Sequence, residues 1–176
     1  MTKKKKKIIF FDGDGTLWYP KKTKHKKHPV WLYRDKRFKN HMDHVVMIPS
    51  ALSTIKKVKN EGIITVILST HPHPPKEADA IMRHKIECLK LGELFDEIHA
   101  TREYHESKGK FMLKILKERN IPKSEALMVG DSYKWDFESA TKVGIDALLV
   151  ESDYEPMKHQ IKRTIKNVSE IFEYIL

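Results

Sequence analysis

At 176 residues, the chain is long enough to bury one sizeable core and too short for two ordinary domains, so a single domain spanning 1–176 is expected. No apolar run approaches the roughly 20 residues of a membrane-spanning helix, and the basic start leads straight into Asp12, which argues against a cleaved signal. Cys88 stands alone and cannot form an internal disulfide, so a soluble protein of the reducing cytoplasm is expected. Of the net charge of +10, residues 1–27 carry +8, from ten lysines against Asp12 and Asp14. The basic character is therefore local, and it suits a solvated tail and loop, a phosphorylated substrate or a nucleic acid.

Ile8–Phe11 is an unbroken apolar run that stops at Asp12-Gly13-Asp14-Gly15-Thr16, as expected of a strand buried on both faces and ended by a glycine-rich turn. Residues 18–47 lack clear periodicity and are rich in lysine, histidine and aromatic side chains. They read as an insertion near the site, with a small hairpin around Val30–Tyr33. Pro49 and Ser50 open a helix that Gly62 stops, and Ile63–Leu68 forms a second buried strand running into Ser69-Thr70. After the break at 71–75, a helix is expected from about Lys76 to Leu91 and a short strand over Asp96–Ala100.

Lys108–Arg119 has helical spacing of Phe111, Met112, Ile115 and Leu116. Ala126–Val129 is the next strand, ending in Gly130-Asp131-Ser132, followed by a helix through Phe137, Ala140 and Val143 that Gly144 closes. Ala147–Val150 is a further strand, and Ile171, Phe172 and Ile175 mark a last amphipathic segment. Strands alternating with helices predict parallel crossovers, hence an α/β fold with a three-layer, doubly wound, Rossmann-like parallel sheet. Such a sheet gathers Asp12 and Asp14, Ser69 and Asp131 at one edge, with Lys108 in reach from a helix start.

In this order DGDGT, ILS, Lys108 and GDSYKWD, ending at Asp136, resemble the motifs of the haloacid dehalogenase superfamily of phosphohydrolases. The resemblance covers nearly the whole chain. Within it, DGDGTLW and HESKGKFMLKILKERNIP look like the magnesium-dependent phosphatases that lack a large cap, although Gly130-Asp131-Ser132 is closer to the broad superfamily form. The resemblance implies a magnesium-dependent phosphatase. Asp12 would be the nucleophile that forms an aspartyl-phosphate, and Asp14 the acid and base for the leaving oxygen and the attacking water. Mg2+ would lie on Asp12, the Asp14 backbone carbonyl and Asp131.

Ser69 would hold a phosphoryl oxygen and Lys108 would neutralise the transferring group. Thr70 competes for the Ser69 role, but counting from Gly62 favours Ser69 by the strand length usual in the superfamily that the chain resembles. Asp136, one turn into its helix, would orient Lys108 or a metal-bound water; alternatively it is a first-turn acid at the helix dipole.

The insertion is expected to select the substrate, a phosphorylated small molecule such as a sugar phosphate or phosphotyrosine. Its lysines, Arg34 and Arg37 could hold a second phosphate or a polyanion, and Trp18, Tyr19 or Trp31 could stack on a sugar or base. Two rival readings follow from the basic, aromatic character: a polynucleotide 3′-phosphatase, and a non-catalytic nucleic-acid-binding protein on the same fold. Zinc on the ten histidines is disfavoured because only one cysteine is available. No membrane partner is expected, and a monomer or a dimer is compatible with an apolar face over 168–176.

Overall fold

The computed structural model describes residues 5–71, 73–102 and 107–175. Six strands, β1 (Ile8–Phe11), β4 (Ile64–His71), β5 (Glu97–Arg102), β6 (Ala126–Gly130), β7 (Asp146–Val150) and β8 (Thr164–Ile165), form one parallel sheet in the order β5-β4-β1-β6-β7-β8. The connections leave β1 in both directions, to β4 and β5 on one side and to β6, β7 and β8 on the other. That reversal places a crevice at the carboxyl end of β1. A separate antiparallel pair joins β2 (Trp18–Pro20) to β3 (Val45–Met47).

Alternation along the strands divides the core. Ile9 and Phe11 face a cluster that includes Ile55 and Val58 of helix α2 (Ala51–Asn60) and Met82 and Ile86 of α3 (Pro75–Cys88). Ile8 and Phe10 face the opposite layer, with Met112, Ile115 and Leu116 of α4 (Lys108–Glu118) and Ala140 of α5 (Ser139–Thr141). All four β1 side chains are fully buried, which is why this strand reads as a continuous apolar run. Val168, Ile171 and Ile175 also enter the first cluster, so the apolar face at the chain's end is spent on the sheet.

Several elements differ from the sequence expectation. Val30–Arg34 is a short helix, α1, instead of part of a hairpin, and the hairpin pairs the two ends of the insertion as β2 and β3. Trp31 packs edge-on against Phe38, an inward contact that a local reading of polar periodicity does not reveal. The helix after Asp131 begins as a π-helical turn, Tyr133–Glu138, before α5 continues it. β8, only two residues long, carries no detectable pattern.

Lys6, counted above in a solvated tail, is 3% exposed and binds Asp146 at 2.5 Å and the Ser124 carbonyl at 2.8 Å, while Lys7 pairs with Glu125 at 2.8 Å. Lys3 and Lys4 lie outside the described residues, as do Pro72 and residues 103–106, which include part of the HESKGK motif.

Helix α4 approaches α5 at Gly109, whose N–H donates to Ser139 Oγ at 2.8 Å. A Cβ at this position would stand 2.3 Å from the Ser139 carbonyl oxygen, a backbone atom that cannot swing aside. Gly109→Ala should therefore cost about 1–3 kcal/mol by overpacking, measured by urea unfolding. Gly92→Ala, where a Cβ meets nothing within 4 Å, should change stability far less. Equal midpoints for the two variants would contradict this account of the α4–α5 contact.

Candidate active site

The register that aligns Phe11 with Ile67 and Val129 carries Asp12 to the point where β4 and β6 end, and the Asp12 N–H continues the ladder to the Val129 carbonyl at 2.9 Å. The chain then turns sharply. The Leu17 N–H returns to the Gly13 carbonyl at 2.8 Å and the Gly15 N–H to the Trp18 carbonyl at 2.8 Å. Gly15 adopts φ +83° directly beneath Asp131, where a Cβ would lie 2.1 Å from its Oδ2, so the turn needs glycine on both counts.

Asp12, Asp14, Ser69, Lys108, Asp131 and Asp136 are each at most 7% exposed, and all line one cavity of about 370 Å³, together with Thr70. Lys108, the first residue of α4, reaches Asp12 Oδ1 and Asp136 Oδ1 at 2.5 Å each. The other Asp136 oxygen accepts the Ser132 N–H at 3.0 Å, so this acid holds the lysine and closes the turn at once. Burial would lower the Lys108 pKa, but Asp12 and Asp136 outweigh it and keep the ammonium charged.

Asp12, Asp131 and Asp136 each present an oxygen within 4.8 Å of the others. Burial raises the pKa of all three: Asp131 goes well above its ordinary range with added repulsion from Asp12 and Asp136, and Asp136 rises to about 6 despite Lys108. Three buried carboxylates around one ammonium lack positive charge, and their hard oxygen donors suit a magnesium-like cation. Tyr154 donates to Asp131 Oδ2 at 2.5 Å, and Thr16 Oγ1 lies 3.4 Å from its Oδ1.

Asp14 lies in different surroundings. Its carboxylate accepts from the Trp18 indole, from Tyr33 OH at 2.9 Å and from Lys85 Nζ at 3.0 Å. Burial alone would raise its pKa, yet Lys85, His28 and the Trp18 N–H hold it down to about 2. The side chain thus points to the insertion and to α3, away from the group formed by Asp12, Asp131 and Asp136.

Trp18 and Tyr19, expected to meet the substrate, do not line this cavity. Trp18 is fully buried with its ring against Gly13, and Tyr19 packs edge-on to His25 in the core. Lys22, Lys24 and Lys26 border a separate cavity, and from the insertion only His28, Val30, Tyr33 and Arg34 reach the one around Asp12.

The sequence reading missed Lys85, Tyr33 and Tyr154. Lys85 left a trace, because it follows Ala78 and Met82 at helical spacing and so places a cation on the buried stripe of α3. Tyr33 and Tyr154 left none.

Comparison with known proteins identifies the family. The haloacid dehalogenase-like hydrolase family profile matches residues 2–150, and the chain belongs to that family. Among curated proteins, a glyceraldehyde 3-phosphate phosphatase from Pyrococcus furiosus is 30% identical over 98 residues, which span 56% of this chain and 39% of that protein's length. A haloacid dehalogenase-like family hydrolase from Streptococcus pneumoniae superposes over 100% of both chains with TM-score 0.71 and 17% identity. A phosphatase of the same family from Thermococcus onnurineus gives 0.69 and 16%, covering 95% of this chain and 96% of its own. A protein described as a predicted phosphoglycolate phosphatase from Haemophilus somnus gives 0.69 and 15%, covering 96% and 97%. At these identities the structures establish the shared fold.

The raised Asp131 pKa makes a stability prediction. A carboxyl group whose folded value exceeds its ordinary 3.8 stabilises the fold fully below that value, and the contribution is lost as pH rises through the folded value. In chelator, Asp131→Asn should therefore gain on the wild type between pH 4 and pH 7, by on the order of 1 kcal/mol or more. Millimolar Mg2+ should raise the wild-type Tm at pH 7 and leave Asp131→Asn nearly unmoved. A full Mg2+ shift in the variant would remove Asp131 from the metal site.

Proposed function

We propose that the protein is a magnesium-dependent phosphatase that hydrolyses a small phosphomonoester through an aspartyl-phosphate on Asp12. The observation that carries this reading is the contact of Lys108 with both Asp12 and Asp136, beside Asp131 and Ser69, at the carboxyl end of the central strand. The family relationship and the phosphatase activity named for the Pyrococcus furiosus relative point the same way.

Asp12 Oδ attacks phosphorus and the ester oxygen departs; water then attacks the same phosphorus and releases phosphate, regenerating the carboxylate. Lys108 neutralises charge on the transferring group, and its second bond to Asp136 keeps the ammonium in place between the two acids. The Ser69 hydroxyl accompanies Lys108 on the phosphoryl oxygens, with Thr70, 3.4 Å from Thr101 Oγ1, supporting the strand end. Asp12 and Asp131, with Asp136 and the Asp14 backbone carbonyl as further oxygen donors, would hold Mg2+. The bound cation lessens repulsion between the Asp12 carboxylate and a phosphate dianion.

Asp14 serves the leaving oxygen and the water. To donate a proton, its carboxyl must leave the Trp18, Tyr33 and Lys85 donors, so substrate binding has to turn this side chain towards Asp12. In its ionised form, which Lys85 and the Trp18 N–H favour, Asp14 is suited to take the proton of the attacking water.

Phosphate release from sugar phosphates, triose phosphates, phosphotyrosine, nucleotides and 3′-phosphorylated oligonucleotides tests the reading. Turnover should require Mg2+, stop with chelator, and fall by roughly a thousandfold or more in Asp12→Asn. Turnover of the oligonucleotide alone would move the protein to nucleic-acid end processing. Activity in Asp12→Asn equal to wild type would remove the nucleophile assignment.

A second prediction concerns Lys85. Lys85→Met removes an ammonium that holds Asp14 ionised, so the acid limb of the kcat–pH profile should move to higher pH. The shift should be most visible with p-nitrophenyl phosphate, whose leaving group needs no proton and whose turnover depends on Asp14 as base in the water step. An unmoved pH profile would reduce Lys85 to a packing role.

A further inference from the structure

Arg34 and His71 remain unassigned by this mechanism. Arg34 is exposed at the end of α1, lines the cavity, and has no hydrogen-bond or ion-pair partner among the described residues. Its neighbour Asp35 is already forked by Arg37, with contacts between 2.6 and 3.1 Å. The other cations of the site are engaged, Lys108 by Asp12 and Asp136 and Lys85 by Asp14.

His71, the last residue of β4, is 2% exposed and also lines the cavity. Its Nδ1 lies 2.8 Å from His73 Nδ1, while its Nε2 is buried with no hydrogen-bond partner among the described residues. A buried ring nitrogen left bare is uncommon in a folded protein and points to a ligand. When His73 supplies the shared proton, Nε2 of His71 carries an N–H and can donate.

The spacing supplies the ligand's dimensions. His71 follows Ser69 by two residues on one strand, so both side chains leave the same face, about 6.6 Å apart along the strand. A phosphoryl group at Ser69 and an acceptor at His71 are thus separated by a short carbon chain. The planar guanidinium of Arg34, adjacent in sequence to Tyr33 whose ring lies 6.1 Å from that of His71, matches a carboxylate by its fork of donors.

We propose that Arg34 and His71 form a subsite for a carboxylate, and that the substrate is a short phosphorylated carboxylic acid. The subsite rests on the phosphatase reading above and sharpens it: selection comes from a second negative charge at fixed reach from the phosphorus. The lysines of the insertion take no part.

The test compares kcat/KM for 3-phosphoglycerate and glycerol 3-phosphate, which share a carbon skeleton and differ in carboxylate against hydroxymethyl. With Mg2+, the wild type should prefer the acid at least tenfold. Arg34→Gln should bring that ratio down at least tenfold, His71→Gln should lower it severalfold, and Arg34→Lys should restore part of it. Arg37→Gln, which alters an exposed arginine away from the cavity, should keep the wild-type ratio. Equal use of the two esters by the wild type, or a proportional loss on both in Arg34→Gln, would overturn the subsite and leave the phosphatase reading standing. If the wild type hydrolyses neither ester nor any other phosphomonoester, the phosphatase reading fails and the subsite falls with it.

Discussion

One buried ammonium organises the active end of this protein. Lys108 Nζ sits 2.5 Å from carboxylates that arrive from opposite sides, Asp12 at the end of β1 and Asp136 in the turn after β6. Removing one member of such a buried pair leaves an uncompensated charge and costs about 3–5 kcal/mol, far more than an exposed pair. Lys108 can reach both acids only because α4 starts at the sheet edge, where Ser107 caps it by accepting the Lys110 N–H, and because Gly109 lets α4 approach α5 closely. Strand register, helix start and interhelical approach therefore meet in one contact.

The same site separates its carboxylates by environment. Asp12, Asp131 and Asp136 crowd together with a single ammonium, and their pKa values rise. Asp14, two residues from Asp12, faces an indole N–H, a phenol and a second buried ammonium, and is held down to about 2. The fold achieves this by sending Asp14 to the other side of the turn, where Trp18 of β2, Tyr33 of α1 and Lys85 of α3 converge. Tyr33 thereby ties the insertion directly to Asp14.

The legibility of the sequence followed the range of the interactions. The parallel sheet, the two helical layers and the positions of Asp12 and Asp131 just past their strands follow from buried runs, helical spacing and turn residues, all local signals. By contrast, β4 runs through Ser69 to His71, two residues beyond it. Asp136 was readable as an acid one turn into its helix, although its partner Lys108 lies 28 residues away. What escaped depended on tertiary packing. Val30–Arg34 forms a helix because Leu32 is buried and Trp31 meets Phe38, while the hairpin joins residues 18–20 to 45–47 across the whole insertion. Trp18 looked like a stacking platform because an aromatic residue beside a catalytic motif reads the same whether it faces ligand or core. Lys6 looked like tail charge because nothing near it announces Asp146.

Charge accounting connects the architecture to the choice of substrate. The cavity is lined by four aspartates and Glu155, and the latter is already engaged with the Tyr133 and Met157 N–H groups. Lys108 is shared by Asp12 and Asp136 and Lys85 is held by Asp14, so neither is free to attract an incoming anion from a distance. A phosphorylated substrate therefore needs positive charge beyond that of Lys108. Beside Asp12, Asp131 and Asp136 it would come from a divalent cation; at the rim, from the guanidinium of Arg34, unengaged among the described residues. The insertion's many lysines do not meet this need, because those at 22, 24 and 26 border a different cavity. Selectivity would then reside in one arginine placed by a five-residue helix, in a segment whose overall basicity suggested a diffuse polyanion surface.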